Sequence, residues 1–255
     1  MSSNLIPQDG SRGKALLTLV SLGDSTPTGY GVGIEKSYVQ ILSNLIHQNL
    51  GTEMSVRNRA TNELRKVADW LNLVREDPVI RDDINQADIV TIWMGWHDLI
   101  PMIGVPMGGP CYPESKLVDL KCLERATSPM KTAFDNLLSQ IRGLSREHLM
   151  ILIADLGIPP LFVENWKADA TFKPLKHHAY DVWRKIILQA ADQNQAIVVN
   201  TSYLLNGPHR DQPMASEYIQ PDGLHLNEKG HWLIAKKHWE VAKENLKNTL
   251  KKYEI

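Results

Sequence analysis

Three side chains far apart in the sequence have the types needed for nucleophilic catalysis. Ser25 follows an apolar run, Ala15 to Leu22, in the stretch KALLTLVSLGDSTPTGYG, while Asp222 and His225 share the segment PDGLH. A serine hydroxyl is a poor nucleophile at neutral pH unless a base takes its proton. An imidazole does this best when a carboxylate holds its other ring nitrogen. Within D-G-L-H, Gly223 gives the backbone freedom to fold acid and base towards each other. Each residue also has a plainer reading, since a serine after a strand is commonly a turn or cap residue and an Asp-Gly pair a turn.

Other chemistries fit less well. Neither GxGxxG nor GxxxxGK followed by Ser or Thr comes directly after the first apolar run, and Gly29, Gly31 and Gly33 fall too late for a phosphate loop. The GxSxG elbow is missing around Ser25. Cys111 and Cys122 lie in one segment without a second cysteine pair or a histidine cluster, which argues against zinc. They are read either as a local disulfide of an oxidising compartment or as two reduced thiols, and as non-catalytic in both cases. No metal, nucleotide or organic cofactor is expected.

The elements that must bring residue 25 beside residue 225 are legible from periodicity. Strands are expected at Ala15–Leu22, Met54–Arg57, Ala87–Met94, His148–Ala154 and Ala196–Asn200. Helices are expected at Tyr38–Leu50, closed by Gly51, and at Asn62–Val74, with Leu64, Val67, Ala68 and Leu71 on one face. Further helices are expected from about Leu123 to Ile141, at Leu175–Gln193 and at Asn227–Tyr253. Leu99–Pro113, rich in Gly and Pro, is expected to be an irregular loop. Alternating strands and helices predict an α/β fold with a mostly parallel sheet covered on both faces. Ligands of such sheets bind at the carboxyl ends of the strands. That rule points to Gly23–Ser25, Asn58–Thr61 and Gly95–Asp98, with the Asp222–His225 turn preceding the last helix.

The 255 residues suit one domain spanning 1–255, and 43% hydrophobic with 22% charged residues suits a globular chain. Twenty-eight basic against twenty-nine acidic side chains, for a net charge of -1, give no electrostatic reason to expect nucleic acid as a partner. No apolar stretch is long enough for a transmembrane helix. ALLTLVSLG is read as a strand and not as a signal peptide, which leaves the compartment open between cytoplasmic and secreted.

GDS at 23–25, GWHD at 95–98 and DGLH at 222–225, in this order, resemble the motifs of the SGNH/GDSL hydrolases, a family of serine esterases and acylesterases. HLNEKGH from His225 to His231 continues the resemblance, which spans the chain from first strand to last helix. It implies a flavodoxin-like three-layer sandwich around a central, mostly parallel five-stranded sheet. It also implies Ser25 as nucleophile with Asp222 and His225 as its acid and base. Two positions depart from the family pattern. The second block, Asn58–Glu63, has no glycine, so an oxyanion donor there would be the N–H of Ala60 or of Glu63, beside that of Ser25. His97 replaces the asparagine of the third block, and a neutral imidazole retains one N–H to donate. Asp24, Gly95, Asp98 and Gly230 are assigned structural roles, and His177, His178, His209, His231 and His238 surface or boundary positions.

The implied substrates are short-chain or aryl esters, with a carbohydrate O-acetyl group as the alternative. Leu99–Pro113 with Phe162, Trp166 and Phe172 is read either as the lining of an acyl or aryl-ester pocket or as a lid packed for its own stability. The rival reading is a non-catalytic protein of the same fold that binds a glycan or a partner protein. Oligomeric state is left open.

Overall fold

The computed structural model describes residues 16–103, 111, 120–159, 172–210, 212 and 214–253. Five strands, β1 (Leu16–Gly23), β2 (Glu53–Asn58), β3 (Ile89–Trp93), β4 (Met150–Ala154) and β5 (Ile197–Val199), form one sheet in the order β2-β1-β3-β4-β5. All four pairings are parallel. β1 is buried from Leu17 onward, and β3 and β4 are buried throughout. This is the state expected of inner parallel strands covered on both faces. The edge strands β2 and β5 are mostly half-buried.

Helices cover the sheet in two layers. Helix α2 (Tyr38–Leu50) packs along α9 (Glu228–Tyr253), while α3 (Val67–Glu76) packs on α6 (Leu120–Leu144) and α6 on α7 (Phe172–Gln193). The core joins both layers to the sheet through Leu19, Leu22, Ile89 and Ile92 with Tyr38, Trp70, Phe134 and Trp183. The expected three-layer α/β sandwich is present. From β1 the chain turns to β2 on one side, then crosses to β3 on the other. The carboxyl ends of β1 and β3 thus flank the crevice that this strand order creates.

Several boundaries differ from the sequence reading. Helix α3 starts at Val67 and not at Asn62, and Leu64 is 80% exposed instead of lying on the packed face. The preceding residues are held in extended form because Arg59 and Thr61 donate their N–H groups to the Ser21 and Gly23 carbonyls. Helix α4 (Pro78–Gln86) was not anticipated, although Asp77 caps it through Val79 and Ile80 and Pro78 stands at its first position. The expected loop from Leu99 begins as helix α5 (Trp96–Ile103), which contains Pro101. Buried Trp96 and Leu99 anchor this short helix one turn apart, so packing outweighs the backbone bond that proline removes. A short helix α8 (Thr201–Asn206) was likewise missed. Residues 104–110 and 112–113 of the expected loop lie outside the described residues, as do Phe162 and Trp166. Phe172 opens α7 instead of lying in a loop. Cys111 and Cys122 are joined in a disulfide, which settles the choice between the two readings.

Candidate active site

The carboxyl end of β1 presents the serine. Asp24 follows the strand and caps the one-turn helix α1 (Ser25–Thr28), accepting the Thr26 N–H at 3.3 Å. Ser25 therefore stands at the first helical position, above the end of the sheet. The Asp222–His225 turn reaches it from the other end of the chain, just before α9. Ser25 Oγ lies 3.1 Å from His225 Nε2. His225 Nδ1 lies 2.7 Å from Asp222 Oδ2, while Asp222 Oδ1 accepts the N–H groups of Leu224 at 2.9 Å and His225 at 3.0 Å. Partial burial pushes the Asp222 carboxyl up, but the His225 and Leu224 N–H groups and the imidazole outweigh it, and the carboxyl sits below its usual range. A carboxylate on Nδ1 leaves Nε2 free to accept a proton from the hydroxyl.

The second block departs from the plain expectation of a free backbone donor. The Ala60 N–H is taken by Asn58 Oδ1 at 3.1 Å, and Asn58 is in turn anchored through its Nδ2 to the Pro27 carbonyl at 2.7 Å. The Glu63 N–H points to the Thr61 hydroxyl at 3.2 Å, in an exposed turn. His97 lies on the first turn of α5, at the carboxyl end of β3 and half-buried. Burial lowers its pKa, so near neutral pH the ring is uncharged and carries one N–H.

The acids and glycines assigned structural roles have traceable contacts. Asp98 accepts the Val67 N–H at 2.9 Å and so sets the start of α3; burial pushes its carboxyl up to about 6. Asp24 is buried, and while one oxygen caps α1 the other finds no partner among the described residues. Desolvation raises its pKa to about 7. A Cβ on Gly230 would lie 2.4 Å from the Tyr218 carbonyl, so α9 approaches the 218–226 segment as only glycine allows. Gly95 has φ +121°, and a Cβ there would lie 2.5 Å from the Trp183 ring. Gly95→Ala is expected to destabilise the fold by about 2–3 kcal/mol through strain and overpacking. Urea unfolding measures this, and an unchanged midpoint would show that the 95–98 loop yields freely.

Two histidines expected at the surface or boundary are core residues. His231 is 1% and His238 0% exposed. His231 Nδ1 accepts the Tyr38 N–H at 3.2 Å, capping α2, and burial lowers its pKa to about 4. His209 is exposed, as expected. The sequence reading missed Tyr30 and Gln220. The Tyr30 ring lies over the His225 imidazole, and Gln220 bridges their two segments. The glycines around Tyr30 were noticed only as a failed phosphate loop.

A parallel α/β sheet with a hydrogen-bonded Ser–His–Asp array at its carboxyl edge has the architecture of a serine hydrolase. The chain belongs to the GDSL-like lipase/acylhydrolase family, whose family model matches residues 19–238. It is accordingly a carboxylic ester hydrolase. Among curated proteins none matches it. Among solved structures, the chain is similar to the lipase Lip_vut3 from a goat rumen metagenome, with TM-score 0.63, 22% identity and coverage of 87% of this chain and 95% of that one. It is similar to the psychrotrophic esterase EstA from Pseudoalteromonas sp. (TM-score 0.55, 17% identity, 90% and 98% covered). An acetyl xylan esterase, AlAXEase, gives TM-score 0.55 at 15% identity, with 88% and 99% covered. At such identities these likenesses show the fold. Among the described residues, no helix is long and apolar enough to cross a membrane.

Proposed function

We propose that the protein hydrolyses short-chain or aryl carboxylic esters through an acyl-enzyme on Ser25, within one hydrolase domain. The observation that carries the acyl-enzyme is the pair of contacts Ser25–His225 and His225–Asp222, at 3.1 and 2.7 Å, while the substrate class is left to the assay below. A protein that used this fold only for binding would have no need to keep a serine hydroxyl on an imidazole. Ser25 Oγ attacks the ester carbonyl as its proton passes to His225 Nε2, with Asp222 stabilising the imidazolium. Collapse of the tetrahedral intermediate breaks the bond to the alcohol, which leaves with the proton from His225. Water then attacks the acyl group with His225 again as base, releasing the acid and restoring Ser25.

The developing oxyanion needs donors at the carboxyl ends of β1, β2 and β3. The Ser25 N–H at the start of α1 is one. In the second block Glu63 is preferred to Ala60, because its N–H rests on a rotatable, exposed hydroxyl while that of Ala60 is locked by an anchored amide. The neutral His97 ring is the third donor. His97→Ala is expected to lower kcat about 10²- to 10³-fold, and His97→Asn to restore most of it. If both variants turn over like the parent, His97 does not face the oxyanion.

Hydrolysis of 4-nitrophenyl acetate from pH 5 to 9, followed by longer acyl chains and acetylated sugars, tests the substrate class. Highest kcat/KM on the short aryl esters supports this reading. Rates on acetylated sugars that exceed them overturn it in favour of a carbohydrate O-acetylesterase. No Ser25-dependent hydrolysis of any of them overturns the acyl-enzyme on these ester classes.

A further inference from the structure

The stretch Gly29-Tyr30-Gly31-Val32-Gly33 matches no phosphate-loop pattern, yet its conformation is specific. Gly29 and Gly31 have φ of +73° and +76°, and the turn between them carries Tyr30. The Tyr30 ring lies with its centroid 4.3 Å from that of the His225 imidazole, with 33° between the planes. The backbone holds it there from two sides. The Tyr30 N–H donates to the Ser25 carbonyl at 3.3 Å, and the Tyr30 carbonyl accepts Gln220 Nε2 at 2.7 Å. That same amide donates to the Leu226 carbonyl at 2.8 Å, and the Gln220 backbone N–H donates to the His225 carbonyl at 2.8 Å. A Cβ on Gly31 would lie 2.1 Å from Gln220 Oε1, so only glycine admits this amide.

We propose that Tyr30, held by Gln220, is a positioning residue for His225 that also favours the imidazolium formed when Ser25 gives up its proton. The proposal rests on the reading of Ser25 and His225 as nucleophile and base. Hydrogen bonds to Asp222 and Ser25 fix the imidazole in its plane, but they leave it free to tilt about the line joining them. A ring stacked on one face removes that motion and keeps Nε2 on the hydroxyl. An aromatic face within about 6 Å of a cation also attracts it, so the contact strengthens on going from neutral histidine to imidazolium. Interactions that strengthen on the way to the transition state raise kcat, not binding.

The test compares Tyr30→Leu with Tyr30→Phe, using kcat, KM and the pH–rate profile on 4-nitrophenyl acetate. Tyr30 is 46% exposed, and neither change opens a core cavity. Phenylalanine keeps the aromatic face and leucine removes it. The expected result is a kcat about 3- to 10-fold lower in Tyr30→Leu, with KM unchanged and near-parental kcat in Tyr30→Phe. The acid limb should move a few tenths of a pH unit lower in the leucine variant alone, because a less stabilised imidazolium loses its proton earlier. Asp222 and Tyr30 face the imidazole, and His231 acts on it electrostatically from α9 but stays neutral down to about 4. Asp24, pushed up to about 7 by burial, and His97, lowered by burial, are the same in the two variants, so the leucine–phenylalanine difference isolates the ring.

A leucine variant with parental kcat and acid limb overturns the proposal, as does equal loss in both variants. Ser25→Ala in the same assay separates the two levels. Activity surviving there overturns the triad and this proposal with it, whereas its loss beside an unshifted leucine variant overturns the role of Tyr30 alone.

Discussion

Replacing Ser25 by alanine is expected to lower kcat for ester hydrolysis by about 10⁴- to 10⁶-fold, leaving only what binding and the oxyanion donors achieve with water. The expectation follows from geometry. Ser25 lies 3.1 Å from the only side-chain base hydrogen-bonded to it among the described residues. Its loss removes the covalent step, not one contact among many. His225→Ala should cost a similar amount, because a hydroxyl without its base is no better than a solvent alcohol. Asp222→Asn should cost about 10⁴-fold, since an amide can hold the ring in the wrong tautomer. Residues acting as one unit are not additive, so Ser25→Ala combined with His225→Ala should lose little beyond either alone. Rates that multiply would show that the two act in separate steps. Near-parental activity in Ser25→Ala would remove the acyl-enzyme altogether.

Replacing the neighbouring Asp24 by asparagine is expected to stabilise the fold by on the order of 4 kcal/mol at pH 8 and by only about 1 kcal/mol at pH 4.5, near the lower end of the window in which the native and unfolded carboxyls differ. The carboxyl is buried, with one oxygen on the Thr26 N–H and the other without a partner among the described residues, and desolvation holds its pKa at about 7. In the unfolded chain the same group ionises near 3.9. Between these values the native state binds a proton that the unfolded state has released, so stability falls as pH rises through the window. Below it both states are protonated and the neutral amide differs little from the acid. Above it the native state carries a buried charge that asparagine, isosteric and still able to cap α1, does not. Urea unfolding of parent and variant at the two pH values measures the difference. A destabilised variant at pH 8 would mean that the ionised carboxylate has a favourable partner, and the burial argument would fail.

The sheet was legible because its inner strands are buried on both faces. Met150–Ala154 is continuously apolar and Ile89–Trp93 is interrupted only by Thr91, and only their ends moved by a residue or two. Ser25, His225 and Asp222 could be read as a candidate nucleophile, base and acid because their segments occur in combination and in the order of the family's motifs, whereas each segment alone also reads as a turn or cap. Apart from helix α4, what failed depended on tertiary contacts. Helix α3 starts where Asp98, thirty-one residues further on, accepts the Val67 N–H, and no local pattern records that. Trp96 and Leu99 hold a helix through Pro101 because both are buried, which propensity alone would not grant. His231 and His238 look like surface residues on a charged helix, yet α9 turns them onto α2 and into the core. Helix α4 had a local signal in Asp77-Pro78 that was overlooked. Tyr30 and Gln220 meet only after residues 30 and 220 are folded together, so neither could be read in advance.

The most direct test of the central claim is mass analysis of the protein after exposure to a 4-nitrophenyl alkylphosphonate, which a serine nucleophile attacks with release of nitrophenol. The account predicts a single stoichiometric adduct on the peptide carrying Ser25, with loss of esterase activity in proportion. It also predicts no adduct in Ser25→Ala and a strongly slowed reaction in His225→Ala. An adduct on another residue, or full activity in a protein whose Ser25 is completely modified, would contradict it.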